Sequence, residues 1–125
     1  MIGPSRRIAV YACTAPIDMR KQYDTLTAVV TQSLGRDPLS GDIFVFVGKT
    51  RKRAKVLWWD GTGLCLLCKR LEKGRFVAPW QKPQEEPLRW TMSELALFLE
   101  GSELVGQMPL SPPPWSPADR VVRFG

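Results

Sequence analysis

The sequence predicts an α+β domain: a mainly antiparallel sheet built on a central β-hairpin and meander, with two helices and a Pro-rich C-terminal tail. Three observations carry that expectation. Residues 8–13, 42–47, 55–59 and 64–71 are short runs rich in β-branched and aromatic side chains, which suit a pleated, buried surface. Two segments, after Asp18 and after Thr91, place apolar residues three and four apart, the spacing of a helix face. Four prolines from Pro112 to Pro117 lack the N–H groups that sheets and helices need. One globular domain is therefore expected over residues 1–104, with 105–125 an extended or disordered tail. A chain of 125 residues buries roughly two-thirds of its unfolded surface, enough for a core without disulfides or a structural metal.

Residues 8–13 (IAVYAC) read as the first strand, ended by Pro16. Asp18 stands where a helix N-cap belongs, and Tyr23, Leu26, Val29, Val30 and Leu34 follow at helical spacing. Residues 19–34 are thus expected as a helix closed by Gly35. Residues 37–41 (DPLSG) are turn chemistry. The strand block follows: 42–47 (DIFVFV), a basic turn at 48–53, then 55–59 (KVLWW), a tight turn at 60–63 (DGTG), and 64–71 (LCLLCKRL). A further short piece is expected at 75–80, before the break marked by Pro79, Pro83 and Pro87. Thr91-Met92-Ser93-Glu94 forms a capping box, in which the Thr91 hydroxyl accepts from the Glu94 amide and the Glu94 carboxylate from the Thr91 amide. Leu95, Leu97, Phe98 and Leu99 supply the apolar face of the second helix, and Gly101 stops it.

The strands are apolar on both sides. Ile43, Val45 and Val47 point one way and Phe44 and Phe46 the other; Val56 and Trp58 alternate likewise with Leu57 and Trp59. A half-solvated antiparallel sheet keeps a polar outer face, so this one needs cover on both sides. One helix on each face supplies it; a homodimer or another protein partner is the alternative.

The formal net charge is +6, and the excess is local. Residues 49–75 hold Lys49, Arg51, Lys52, Arg53, Lys55, Lys69, Arg70, Lys73 and Arg75 against only Asp60 and Glu72. Such a concentration attracts polyanions, and a β-ribbon with a basic tip fits a DNA groove or tracks its phosphates. These nine residues are the candidate nucleic-acid contacts; the opposing reading is a solvated face that keeps the protein soluble. Trp58 and Trp59 are the candidate partner-binding residues: they adjoin in one strand, so one can be core and the other exposed, and an exposed ring can stack on a base or anchor a protein, against a core reading for each ring.

Enzyme chemistry finds little support. The chain has no histidine, which removes the usual general base, the commonest metal ligand and every Ser-His or Cys-His pair. Asp18, Asp24, Asp37, Asp42 and Asp60 sit at caps and turns, where Asp bonds locally. Cys65 and Cys68 form a C-x-x-C, but on a strand their side chains face opposite ways, and Cys13 is the only other thiol. They read as small buried residues. Gly48-Lys49-Thr50 lacks the upstream glycine of a phosphate loop, because position 43 is Ile43. No catalytic residue, metal or cofactor is expected. The start of the chain carries no signal-peptide core and no apolar run approaches a membrane span, so a cytoplasmic protein is expected.

Several stretches occur together in one order: Asp18-Met19-Arg20-Lys21, Asp37-Pro38-Leu39-Ser40-Gly41, Phe44-Val45-Phe46, Trp58-Trp59-Asp60-Gly61, Gly63-Leu64-Cys65-Leu66, Lys69-Arg70-Leu71-Glu72 and Gly74-Arg75-Phe76. With the helix ending Leu99-Glu100-Gly101, they closely resemble the TnpB accessory proteins, the second open reading frame products of the insertion-sequence sixty-six transposons. The resemblance runs from about residue 1 to 101. It implies a role in DNA transposition beside a separate, larger transposase that carries the catalytic carboxylates, and it supplies no active site or cofactor for the small protein. The expected partners are then DNA at the element ends and the transposase, with a nucleoid-associated location. The alternative is an adaptor to the transposase with no nucleic-acid contact.

Overall fold

The computed structural model describes residues 7–81 and 88–101. The tail expected at 105–125 lies outside the described residues. Within them the order is β1 (Val10–Ala12), α1 (Tyr23–Gln32), β2 (Ile43–Val47), β3 (Arg53–Trp59), β4 (Leu64–Arg70), β5 (Leu88–Trp90) and α2 (Met92–Leu99). The strands form one five-stranded sheet in the order β4-β3-β2-β1-β5. β2, β3 and β4 are the antiparallel meander. β1 pairs parallel to β2 through the α1 crossover, and β5 closes the other edge antiparallel to β1. The fold class is α+β, as the sequence predicts.

Each face of the sheet has its own core. On one, Val10, Ala12, Val45, Val47, Ala54 and Val56 pack under Leu95 and Phe98 of α2, with Phe76 and Trp90. On the other, Tyr11, Phe44, Phe46 and Leu57 pack under Leu26, Val30 and Leu34 of the α1 segment. The doubly apolar strands are thus covered by one helix per face. Phe44, Phe46, Phe76 and Phe98 are all fully buried, and burial of a ring of this size contributes on the order of 1.5–3 kcal/mol.

The helices differ in how well the sequence marked their ends. α2 begins as expected: the Thr91 hydroxyl accepts from the Glu94 amide at 3.0 Å, and the Glu94 carboxylate accepts from the Thr91 amide at 2.9 Å. Gly101, at φ +85°, ends it. α1 starts at Tyr23 rather than residue 19. Asp18 does not cap it; its carboxylate takes the Arg20 backbone N–H at 2.9 Å and the Arg20 guanidinium, closing a turn of its own. Gln22 is the residue that enters the helix, its N–H donating to the Thr25 hydroxyl at 2.9 Å.

Two further differences concern the second half. The piece expected at 75–80 is not a strand, although Phe76, Ala78 and Pro79 are buried within it. The edge strand β5 was not expected, because three residues are too few to show alternation and Pro87 immediately precedes them.

Phe98 stacks on Phe76 with ring centroids 4.8 Å apart and lies tilted against Trp90 at 5.0 Å. Phe98→Ala is therefore expected to cost about 3–5 kcal/mol in denaturant unfolding. Met92→Ala, at an exposed position of the same helix, should stay within about 0.5 kcal/mol. Equal effects of the two would contradict the assignment of α2 as the lid of this core.

Candidate nucleic-acid interface

The register of β3 against β4 joins two basic segments that are far apart in sequence. Arg53 pairs with Arg70, Ala54 with Lys69 and Lys55 with Cys68. The chain then folds back across the β2–β3 turn: the Leu71 N–H donates to Lys52 O at 2.9 Å and the Phe76 N–H to Arg51 O at 2.7 Å. Side chains reinforce the return, Arg51 Nε donating to Phe76 O at 2.9 Å and Lys52 Nζ to Gly74 O at 2.8 Å. Arg51 is the one non-glycine among the described residues with positive φ, +64°, and the two bonds to Phe76 hold it there. Lys49, Arg51, Lys52, Arg53, Lys69, Arg70, Lys73 and Arg75 are thus gathered at one end of the sheet.

Their exposure differs. Lys49, Arg53, Lys69, Arg70, Lys73 and Arg75 are exposed, and Arg51 and Lys52 are half-buried. Lys55 departs from the outward set. Only 6% of it is accessible, and its ammonium donates to Lys21 O at 2.6 Å. It ties the loop of Asp18, Met19, Arg20 and Lys21 onto the sheet, and is a strut rather than a contact surface. Met19 of that loop lies so close to Gly48 that a Cβ there would stand 2.7 Å from Met19 Cγ.

Among the described residues few carboxylates meet these cations. Arg70 Nε meets Glu72 at 3.3 Å, but both side chains are largely exposed, where such a pair contributes about 0–1 kcal/mol. Lys69 Nζ donates to Leu99 O, at the C-terminal end of α2 where carbonyls favour a cation. The side chains of Lys49, Arg53, Lys73 and Arg75 have no hydrogen-bond or ion-pair partner among the described residues. Asp18, the nearby acid, is occupied by the Arg20 guanidinium at 2.7 Å, which holds its carboxyl well below the usual carboxylate range.

Two open clefts lie on the α1 side of this end. One, of about 490 Å³, is lined by Met19, Arg53, Lys55, Cys68, Lys69, Arg70 and Glu72. The other, of about 500 Å³, runs past Asp18, Gly48, Lys49, Thr50 and Lys52. Met19, Arg53 and Arg70 are walls of both. The share taken by Met19, Gly48 and Lys21 was not read from the sequence, because Asp18 through Lys21 look like the first turn of a helix. No signal in the sequence separates Lys55 from Arg53, which shares its strand parity and is exposed.

The far end of the sheet is different. Trp58 and Trp59 are half-buried, about 17 and about 20 Å along β3 from Arg53 at the usual rise per residue. Trp58 packs against the α2-side core. Asp60 closes the β3–β4 turn by accepting the Thr62 and Gly63 backbone N–H groups, both at 2.9 Å, which hold its carboxyl down at about 2. Cys65 lies opposite Trp58 and Cys68 opposite Lys55, so the two thiols face opposite sides of the sheet. Burial, and then Asp60, push the Cys65 thiol up. Among the described residues no cluster of Cys, Asp and Glu is arranged to hold a metal ion, and no helix is long and apolar enough to cross a membrane.

Fold and site together define a small α+β protein whose sheet is covered on both faces and whose cations are concentrated at one end. The family model described as IS66 Orf2 like protein matches residues 8–108, and the chain belongs to that family, which supports an accessory role in transposition. The chain is 40% identical over 101 residues to the uncharacterized protein y4jC of Sinorhizobium fredii, covering 81% of this chain and 85% of that one. It is 35% identical over 101 residues to the uncharacterized protein y4hO of the same organism, covering 81% and 86%. No solved structure matches the chain.

Two outcomes follow from the geometry. Lys55→Ala strands the Lys21 carbonyl and is expected to lower stability by about 1–3 kcal/mol, whereas Lys49→Ala should change it by less than about 0.5 kcal/mol; equal losses in urea unfolding would contradict the strut. The depressed Asp60 carboxyl favours the folded state above the ordinary carboxylate value near about 4, and that contribution is lost as pH falls towards about 2. Asp60→Asn should therefore flatten the pH dependence of stability across that interval, and an unchanged profile would contradict the turn geometry.

Proposed function

We propose that this protein is a non-catalytic accessory factor of its insertion sequence that binds DNA at the element ends through the basic end of the sheet, beside the transposase. The observation that carries this reading is the convergence of exposed Lys49, Arg53, Arg70, Lys73 and Arg75 at one end of the sheet, with few carboxylates against them among the described residues. Cations in this arrangement displace the counterions condensed on a phosphate backbone, a contribution that is independent of sequence and sensitive to salt. Base readout is not required of it.

If these five residues each neutralise one phosphate, a gel-shift series with element-end duplex should give a log–log salt slope of about −4 to −5. The double variant Arg53→Glu, Arg70→Glu should weaken binding without unfolding the domain, since both side chains are exposed. Absence of binding at low salt, together with co-purification of protein and transposase, would favour the adaptor reading, in which half-exposed Trp58 and Trp59 meet the transposase.

A further inference from the structure

We infer that the cleft between the β3–β4 ribbon and the Met19 loop is a discrete binding site for one phosphate group of a nucleotide unit, held by Arg53 and Arg70. This inference deepens the DNA-binding reading and rests on it for its biological ligand, but its geometry stands separately.

The Leu71 N–H bond to Lys52 O marks positions 52 and 71 as a hydrogen-bonded pair of the ladder. Arg53 and Arg70, one step further, are then a non-hydrogen-bonded pair, the arrangement in which cross-strand Cα atoms approach to about 4.5 Å. Like charges directly opposite each other in this way destabilise a sheet. Both side chains wall both clefts. Glu72 engages Arg70 only through Nε, and the Arg53 guanidinium has no partner among the described residues. Two guanidiniums side by side, short of acceptors and facing an open cavity, present the paired donors that a phosphate takes up.

Lys49 lines the adjoining cleft, and the other neighbouring lysines leave this role to the arginines. Lys55 is spent on Lys21 O, Lys52 on Gly74 O and Lys69 on Leu99 O. Asp18, on the rim, is matched by Arg20. The cleft volume of about 490 Å³ falls within the range of small-molecule sites, about 300–1,000 Å³, and exceeds what a bare phosphate fills. Met19 and Cys68 give its remaining wall a soft, weakly polar surface on which an attached sugar or base can lie.

The test uses the full chain, titrated with thymidine monophosphate and, separately, with inorganic phosphate, at constant ionic strength. It follows the NMR resonances of Met19, Gly48 and Cys68, and the labelling rate of the exposed Cys68 thiol. Saturable shifts at these positions and several-fold slower labelling are expected, with thymidine monophosphate binding more tightly than inorganic phosphate. Both effects should vanish in Arg53→Gln, a variant expected to be at least as stable as the parent because a like-charge contact is removed. Arg75→Gln, outside the cleft lining, should leave nucleotide binding intact while lowering the magnitude of the DNA salt slope by about 1. Non-saturating shifts, or binding retained in Arg53→Gln, would overturn the site and leave only a diffuse cationic surface for DNA. Equal affinity for the two ligands would overturn the nucleotide assignment in favour of free phosphate. Saturable nucleotide binding without any duplex binding would instead overturn the DNA-binding function and leave the site standing.

Discussion

The pairing of β3 with β4 is the constraint on which the basic end depends. A slip of one residue would carry every side chain of β4 to the other face, placing Arg70 under α2 and removing it from Arg53. Two things prevent the slip. At the basic end, the Leu71 N–H bond to Lys52 O holds the pairing in place. At the far end, the Asp60 carboxylate clamps two backbone amides and so fixes where the ribbon turns. The turn least involved with charge thus decides which cations meet at the opposite end.

Covering both faces of the sheet leaves few places for ionised groups. Lysines and arginines are pushed to the ends of strands and to the turns, and a meander whose strands begin and end together collects them. The way they are then held preserves their charge. Lys52, Lys55 and Lys69 donate to backbone carbonyls, which accept hydrogen bonds without cancelling the cation. Carboxylates in those positions would have neutralised the field. The long-range potential that draws in a polyanion is therefore retained while the side chains are held in place.

Much of this was legible in the amino-acid sequence, and what was not has a physical reason. Unbroken β-branched and aromatic runs marked the meander, and their double-sided alternation called for cover on both faces, which the two helices supply. Thr91 and Glu94 marked the start of α2 because both partners of the box are local. The start of α1 was obscured because Asp18 suits an N-cap and an Asx-type turn equally well, and Arg20, two residues on, decides between them. Lys55 looked like part of the exposed cluster because of its charge; its burial depends on a carbonyl 34 residues away in sequence. The meeting of Arg53 with Arg70 needed a register, which composition does not contain.

The most direct measurement is a chemical-shift map of the full-length protein with element-end duplex DNA. Perturbations concentrated at residues 17–21, 48–53 and 68–76, with 58–65 unmoved, are the expected result. Shifts centred on Trp58 and Trp59, or spread evenly over the sheet, would contradict the basic end as the surface that meets DNA.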